Sequence, residues 1–368
     1  MSSNPNRDFT DTLSRPFSMA ACALLAATLT ACGGGDSIQF PEPQAASLEA
    51  AQQRKATATQ AIEVTQSLRQ AVTQAVAAGQ PLTTVQTTVN AQAIALPSGG
   101  SITEVRVEYG GTIVAEVNLP AVAATPTPTP AIGPAPSSGP LVTPPAGTIE
   151  SALPPATAGR GQLVWVAYPV AEGVVRWYCF GSYAGAAKDT DGACLYPGDS
   201  ARGMTWATAN GVLDPNLPPY DAKFNMSYVD CNVTTPPTLG RSGGPKMCDP
   251  YQGDWHVLRK LPMLCVRIDN RAPPAGWKQP GGRSFVRGEM AVTPPVYGVQ
   301  LLGQVPGDAI CSQQFGKGWT MANFHDAGGW GFWGVGRTPT DTRFWVRIRD
   351  TQANPWCATL TGLPCNGG

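Results

Sequence analysis

Eleven prolines fall between Pro120 and Pro155, among them the alternation Thr125-Pro126-Thr127-Pro128-Thr129-Pro130. Proline lacks a backbone N–H and holds φ near −65°, so such a run can neither continue a helix nor sit inside a sheet. The expectation is an extended, coreless spacer. At ~3.1 Å per residue, its 36 residues reach roughly 110 Å when fully extended. The absence of flanking basic residues argues against a docking motif for a proline-binding module. The chain thus divides into a segment before residue 120, a Pro/Thr/Ala-rich linker at 120–160, and a segment from 161 to 368.

The far N-terminus reads as a targeting signal. Residues 19–31 form an apolar run long enough for a signal-peptide core and too short to span a bilayer. The run closes on Leu29-Thr30-Ala31-Cys32, followed by Gly33-Gly34-Gly35, and this resembles the lipobox of bacterial lipoproteins. The resemblance implies a signal peptide at 1–31, a lipidated flexible tether at 32–43, and acyl chains such as palmitate on Cys32. Several chains anchor stably where one binds only marginally. Gly33, in place of an aspartate, implies the outer membrane.

Cysteine placement agrees with export. Setting aside Cys22 and Cys32 leaves Cys179, Cys194, Cys231, Cys248, Cys265, Cys311, Cys357 and Cys365, an even set lying wholly beyond residue 160. In an oxidising compartment four disulfides are expected, and the sequence does not choose among the 105 possible pairings. No C-x2-C pair exists and histidine occurs only at 256 and 325, so a zinc site is not expected. Lys+Arg and Asp+Glu balance at 25 each, which removes the charge excess that nucleic acid requires.

Segment 44–119 suggests a small α+β domain. Leu48, Ala51, Ala58, Ile62, Leu68, Val72 and Val76 mark a narrow helical stripe that Gly79-Gln80-Pro81 ends. Leu82, Val85, Val89, Ile94 and Leu96 suggest a shorter returning helix, the pair forming a helical hairpin or a solvated stalk. Val105, Val107 and Tyr109 alternate, Gly110-Gly111 reads as a two-residue turn, and Ile113, Ala115, Val117 and Leu119 alternate back: a β-hairpin.

From 161 onward the character changes. All ten tryptophans lie there, and thirteen of its fifteen acidic residues are Asp, the residue of turns rather than helices. Runs such as 163–168, 174–180, 263–268 and 344–348 are strand-like. A disulfide-stapled, mainly β head domain is expected.

Its densest stretch is 308–357. Residues 308–315 read as a short helix with Asp308 near its start, 319–324 as a sheet edge, the Gly/Trp run after it as a loop, and 343–349 as a central strand closed by a Cys311–Cys357-type bridge. This order resembles C-type-lectin-like domains, with a cysteine-bearing helix, a G-x-W lead-in, a long loop and a late Trp-Cys. It is similar also to an uncharacterised group of exported bacterial proteins sharing FG-x-GW-x-MA-x-FHD and RFWV-x-I-x-D. The lectin triplets for calcium and sugar are absent, Gln352-Ala-Asn354-Pro355 being a distant echo. That echo makes Asn354 a candidate ligand contact, and Trp356 joins Trp319, Trp330, Trp333 and Trp345 as a candidate aromatic platform for sugar or aromatic rings.

Within this stretch Trp330 and Trp333, in a glycine-rich loop, are the expected ligand contacts, while Trp319 and Trp345 on strands are expected in the core. His325-Asp326 could orient a general base, against a structural role in which His325 bonds backbone beneath the loop. Asp189, Asp191 and Asp199 before and after Gly192 weakly suggest a calcium loop, a turn being the simpler reading; no other cofactor is expected. Arg343, Arg347 and Arg349 line one strand face, with Asp341 or Asp350 as expected partners. The function these features suggest is a non-catalytic, surface-displayed lipoprotein whose head recognises a ligand, glycan or protein. The alternatives are a structural subunit of an envelope or filament assembly, using 44–119 as the interaction element, and a hydrolase acting through His325 and Asp326.

Overall fold

The computed structural model describes residues 45–89, 96, 100–120, 159–198, 201–208, 220–231, 248–251, 253–280, 284–301, 304–340, 343–348 and 351. The signal peptide, Cys32 and its tether, the interior of the Pro-rich stretch, Ile94, Asp199, Asp341, Arg349, Asp350, Asn354, Trp356, Cys357 and Cys365 lie outside them. The described residues belong to one unit, Pro43–Gly368, and are mixed α+β with few helices and many strands.

Helix α1, Ala45–Ala77, ends as its sequence requires: Gly79 takes φ +87°, and Gln80 N–H reaches back to the Ala75 carbonyl at 3.0 Å. The expected second helix is one short turn, α2, Val85–Val89, and Leu96 is exposed. Strands β1 (Ile102–Glu108) and β2 (Thr112–Asn118) form the expected hairpin. Glu108 pairs with Thr112, so Tyr109, Gly110 and Gly111 make a three-residue loop, one longer than the two-glycine turn. Tyr109 is buried, its hydroxyl donating to Gln314 Oε1 at 2.9 Å, which is why it belongs to the loop rather than the ladder.

The hairpin is not an accessory domain. β2 pairs antiparallel along its length with β3 (Arg160–Ala171), and β3 with β4 (Val174–Gly181), giving one sheet in the order β1-β2-β3-β4. The expected boundary at 160 therefore runs through a sheet. Asn118 stands opposite Arg160, and Leu119 N–H donates to the Gly159 carbonyl at 2.8 Å. The two ends of the Pro-rich stretch are fastened side by side. It is an excursion between neighbouring strands and adds nothing to the distance between its flanking segments.

Both faces of this sheet are buried. Ile113, Ala115, Leu163 and Trp165 pack with Ala58, Ala61, Leu68 and Val72 of α1, so the helix is no solvated stalk. Val114, Val164, Val166 and Phe180 pack with Val257, Leu258, Tyr297 and Val299 from the later chain. Each such side chain stabilises the fold by about 1.5–3 kcal/mol when fully buried. A two-sided core is why Thr112 to Ala115 are buried in succession instead of alternating.

Helix α3 (Ala186–Asp189) follows β4, and then come β5 (Arg202–Gly203), β6 (Thr205–Thr208), β7 (Tyr220–Asp221), β8 (Met226–Asp230), β9 (Trp255–His256), β10 (Lys260–Leu261), β11 (Leu264–Ile268), β12 (Phe285–Val292) and β13 (Val296–Tyr297). After a 3-10 turn at Gly298–Leu301 come helix α4 (Gln304–Phe315), β14 (Thr320–Met321), β15 (Gly331–Val335) and β16 (Arg343–Trp345). The main sheet runs β14-β11-β12-β15-β8-β6-β16, with β7 beside β8; β12 and β15 are parallel and the other pairs antiparallel.

Three expectations about 308–357 change. Helix α4 starts before Asp308, whose carboxylate accepts Met321 N–H at 2.9 Å and faces Arg347 at 3.3 Å instead of capping the helix. The glycine-rich run is partly the interior strand β15. A Cβ at Gly331 would stand 2.7 Å from the Val229 carbonyl, and one at Gly334 2.9 Å from Met290, so these glycines serve close approach rather than a loop. Strand β16 is last in the sheet order, not central, yet parallel bridges from Trp345 to Met263 and from Arg347 to Asn323 bring that end back to the β11–β14 end. Phe344, Trp345 and Val346 are consequently fully buried.

Among the described residues, three disulfides join Cys179 to Cys194, Cys231 to Cys248 and Cys265 to Cys311. The Cys311–Cys357 pairing is thus incorrect. Cys311 on α4 packs over the β11 cysteine in one cluster with Met263, Met321 and Trp345, and that proximity claims its thiol.

Candidate functional site

The exposed aromatic surface lies in the turn between β14 and β15. Asn323 organises it: its Oδ1 accepts His325 N–H at 3.0 Å, and its own N–H donates to Asp326 Oδ2 at 2.7 Å. Phe324, nearly buried, anchors the turn through its N–H to the Arg347 carbonyl at 2.8 Å. Upon Phe324 stand two rings edge-on, His325 with centroids 5.1 Å apart and Trp330 at 5.5 Å.

Trp330 retains 36% of its surface and takes φ +60°. A bulky residue in left-handed backbone costs energy unless its surroundings impose it. The imposing contacts are visible. Gly328 and Gly329 precede it at φ +90° and +85°, Gly331 is locked opposite Asp230, and the Trp330 carbonyl accepts Cys231 N–H at 2.8 Å. Cys231 is in turn bridged to Cys248, whose N–H donates to the Cys231 carbonyl at 2.8 Å. A disulfide-closed loop, interior strand and glycine pair together hold one indole partly outside the core.

Trp333, the other expected contact, is not part of this surface. It is 2% exposed, stacked on Tyr228 at 5.1 Å and edge-on to Trp277 at 5.7 Å, because two residues along β15 from Gly331 a side chain lies within the ladder between β8 and β12. Trp319 and Trp345 are in the core as expected. Asn354 and Trp356 lie outside the described residues.

The remaining candidates are structurally engaged. Asp189 pairs with Arg54 at 3.0 Å and Asp191 with Lys55 at 2.8 Å, so these carboxylates fasten α3 and its following turn to α1. Asp199 lies outside the described residues. Among the described residues no cluster of three metal-ligating side chains occurs. Asp326 spends one carboxylate oxygen on the Asn323 turn, while His325 is exposed rather than tucked beneath the glycines.

Arg343, at the start of β16, and Arg347, just past its end, each face a carboxylate distant in sequence, Asp254 and Asp308; Arg349 and the expected partners Asp341 and Asp350 lie outside the described residues. Arg343 is 2% exposed and faces Asp254 at 3.3 Å, its Nε donating to Thr205 Oγ1 at 2.6 Å. Thr205 donates both its hydroxyl and its N–H to the Asp254 carboxylate. Burial pushes the Asp254 carboxyl up to about 6 against the opposing pull of Arg343 and Thr205. Sequence reasoning missed Asp254, Thr205 and Phe324. The only signal for the first two was that a buried guanidinium needs a carboxylate, and the sequence offers no means of choosing which.

Compared with protein-family models, with curated proteins and with solved structures, the chain matches none.

Proposed function

We propose that the protein is a non-catalytic, lipid-anchored recognition protein of the outer membrane, whose 161–368 segment contacts a ring-bearing ligand, a glycan foremost, through Trp330. One observation carries the reading. The fold holds a large indole in left-handed backbone, over a third exposed, on a Phe324 base and beside an exposed imidazole. Indole and imidazole rings stack on sugar faces at small entropic cost, and strain kept at one exposed position is a recurrent mark of ligand contact. The lipobox at Cys32 supplies the membrane anchor in this reading.

Reach beyond the membrane no longer supports this reading, because the Pro-rich stretch returns to its own starting point. For the assembly alternative, segment 44–119 supplies half of a sheet and the helix that covers it, so a partner would dock on its outer face. The test is a glycan array with the full detergent-solubilised chain and its Trp330→Ala variant. Binding to a defined glycan set that falls at least tenfold in the variant supports the proposal. Binding unaffected by the variant, or none to any glycan or surface polymer, overturns it.

A further inference from the structure

Most half-buried or buried arginines in this fold meet a carboxylate: Arg54, Arg106, Arg267, Arg271, Arg343 and Arg347 all do. Arg69 on α1 does not. Among the described residues its partners are the Ile62 carbonyl, accepting from Nη2 at 3.2 Å, and the Trp165 ring, whose centroid is 5.8 Å from the guanidinium carbon. Its Nε–H is buried and, among the described residues, unmet. Burial with no counter-charge holds its guanidinium below the usual arginine range.

A guanidinium in that condition is costly, and an incoming oxyanion removes the cost. Its terminal Nη1 and Nη2 edge presents the parallel donors that a carboxylate accepts as a pair. Trp177 stands half-buried on the α1 side of β4 with its indole N–H on Thr73 Oγ1 at 3.1 Å, and Gln66 and Gln70 flank Arg69 on the exposed side of the helix.

We infer that the Arg69 face of α1, with Trp177 and Thr73 beside it, is a binding site for the carboxylate of an acidic sugar, separate from the Trp330 surface. The ligand's carboxylate pairs end-on with Arg69, and its ring lies toward Trp177. Nothing in this site depends on Trp330, so the two proposals stand or fall apart.

The experiment is a titration of the full chain with galacturonate, galactose, and galactose 6-phosphate, read by amide and indole N–H chemical shifts. Galacturonate is expected to shift the Trp177 indole signal saturably, galactose to do so at least tenfold more weakly, and added salt to weaken the galacturonate response. Arg69→Gln should lose at least tenfold in affinity, while Trp330→Ala leaves it unchanged. Should Arg69→Gln fail to fold, Arg69→Lys keeps the charge without the planar fork and should bind severalfold more weakly. Galacturonate binding unaffected by either Arg69 variant, or no saturable shift, overturns the site; a phosphate preference overturns its assignment to carboxylates.

Discussion

Leu119 donates its backbone N–H to the Gly159 carbonyl at 2.8 Å, and so closes the Pro-rich stretch into a loop anchored on two adjacent strands. Antiparallel neighbours of this kind need only two to five connecting residues. Replacing 120–158 by a short Asn-Gly turn should leave the fold intact. The cost of closing the loop falls with the shorter connection, by about 2–3 kcal/mol. Chemical denaturation of the shortened protein checks this, and a loss of more than about 2 kcal/mol would mean that the excursion itself contributes packing.

The two tryptophans of the glycine-rich run should respond oppositely to truncation. Trp333, stacked on Tyr228 and edge-on to Trp277, should cost about 3–5 kcal/mol when replaced by alanine. Trp330→Ala should change stability by about 1 kcal/mol or less, since over a third of its surface already meets water. Urea unfolding of both variants decides; equal costs would contradict the division between core and surface.

Cys265 and Cys311 join β11 to α4 across 46 residues of sequence. Replacing either by alanine should cost about 2–4 kcal/mol. Peptide mapping under non-reducing conditions should recover Cys265 and Cys311 in one linked pair, and recovery of Cys311 with Cys357 would refute the connectivity.

Asp254 gives the stability a defined pH dependence. Its folded value of about 6 lies above the ordinary 3.8, so the folded protein binds this proton more tightly than the unfolded chain does. The contribution is fully present below about pH 4 and is lost as pH rises through about 6. Asp254→Asn lacks that titration. The variant's melting temperature minus that of the natural protein should therefore become more positive from pH 4.5 to 7.5. A difference that becomes more negative instead would show that pairing with Arg343 outweighs burial.

Much of the local structure was legible. The α1 stripe, the Gly79 stop and the alternation around Gly110-Gly111 all report short-range rules, and each element formed near its expected place. The boundary at 160 failed for a long-range reason: proline run and strand ladder are compatible when the run leaves and returns at one sheet position, and residue order does not show a return. Trp330 and Trp333 were indistinguishable because glycine marks both turns and close strand approaches. Only the partner strands β8 and β12 separate the two uses.

The sequence by itself determined that a long helix precedes residue 78 and stops at Gly79, that a β-hairpin turns at Gly110-Gly111, and that cysteines beyond residue 160 pair in disulfides, as six of them do. Tertiary structure decided the rest: that segment 44–119 and the start of 161–368 share one sheet, that Cys311 bonds Cys265, that Arg343 pairs with Asp254, and that Trp330 is exposed while Trp333 is buried. The reason is common to all four. Each depends on which distant segments lie against one another, and that is set by the joint burial of two sheet faces rather than by any stretch of neighbouring residues.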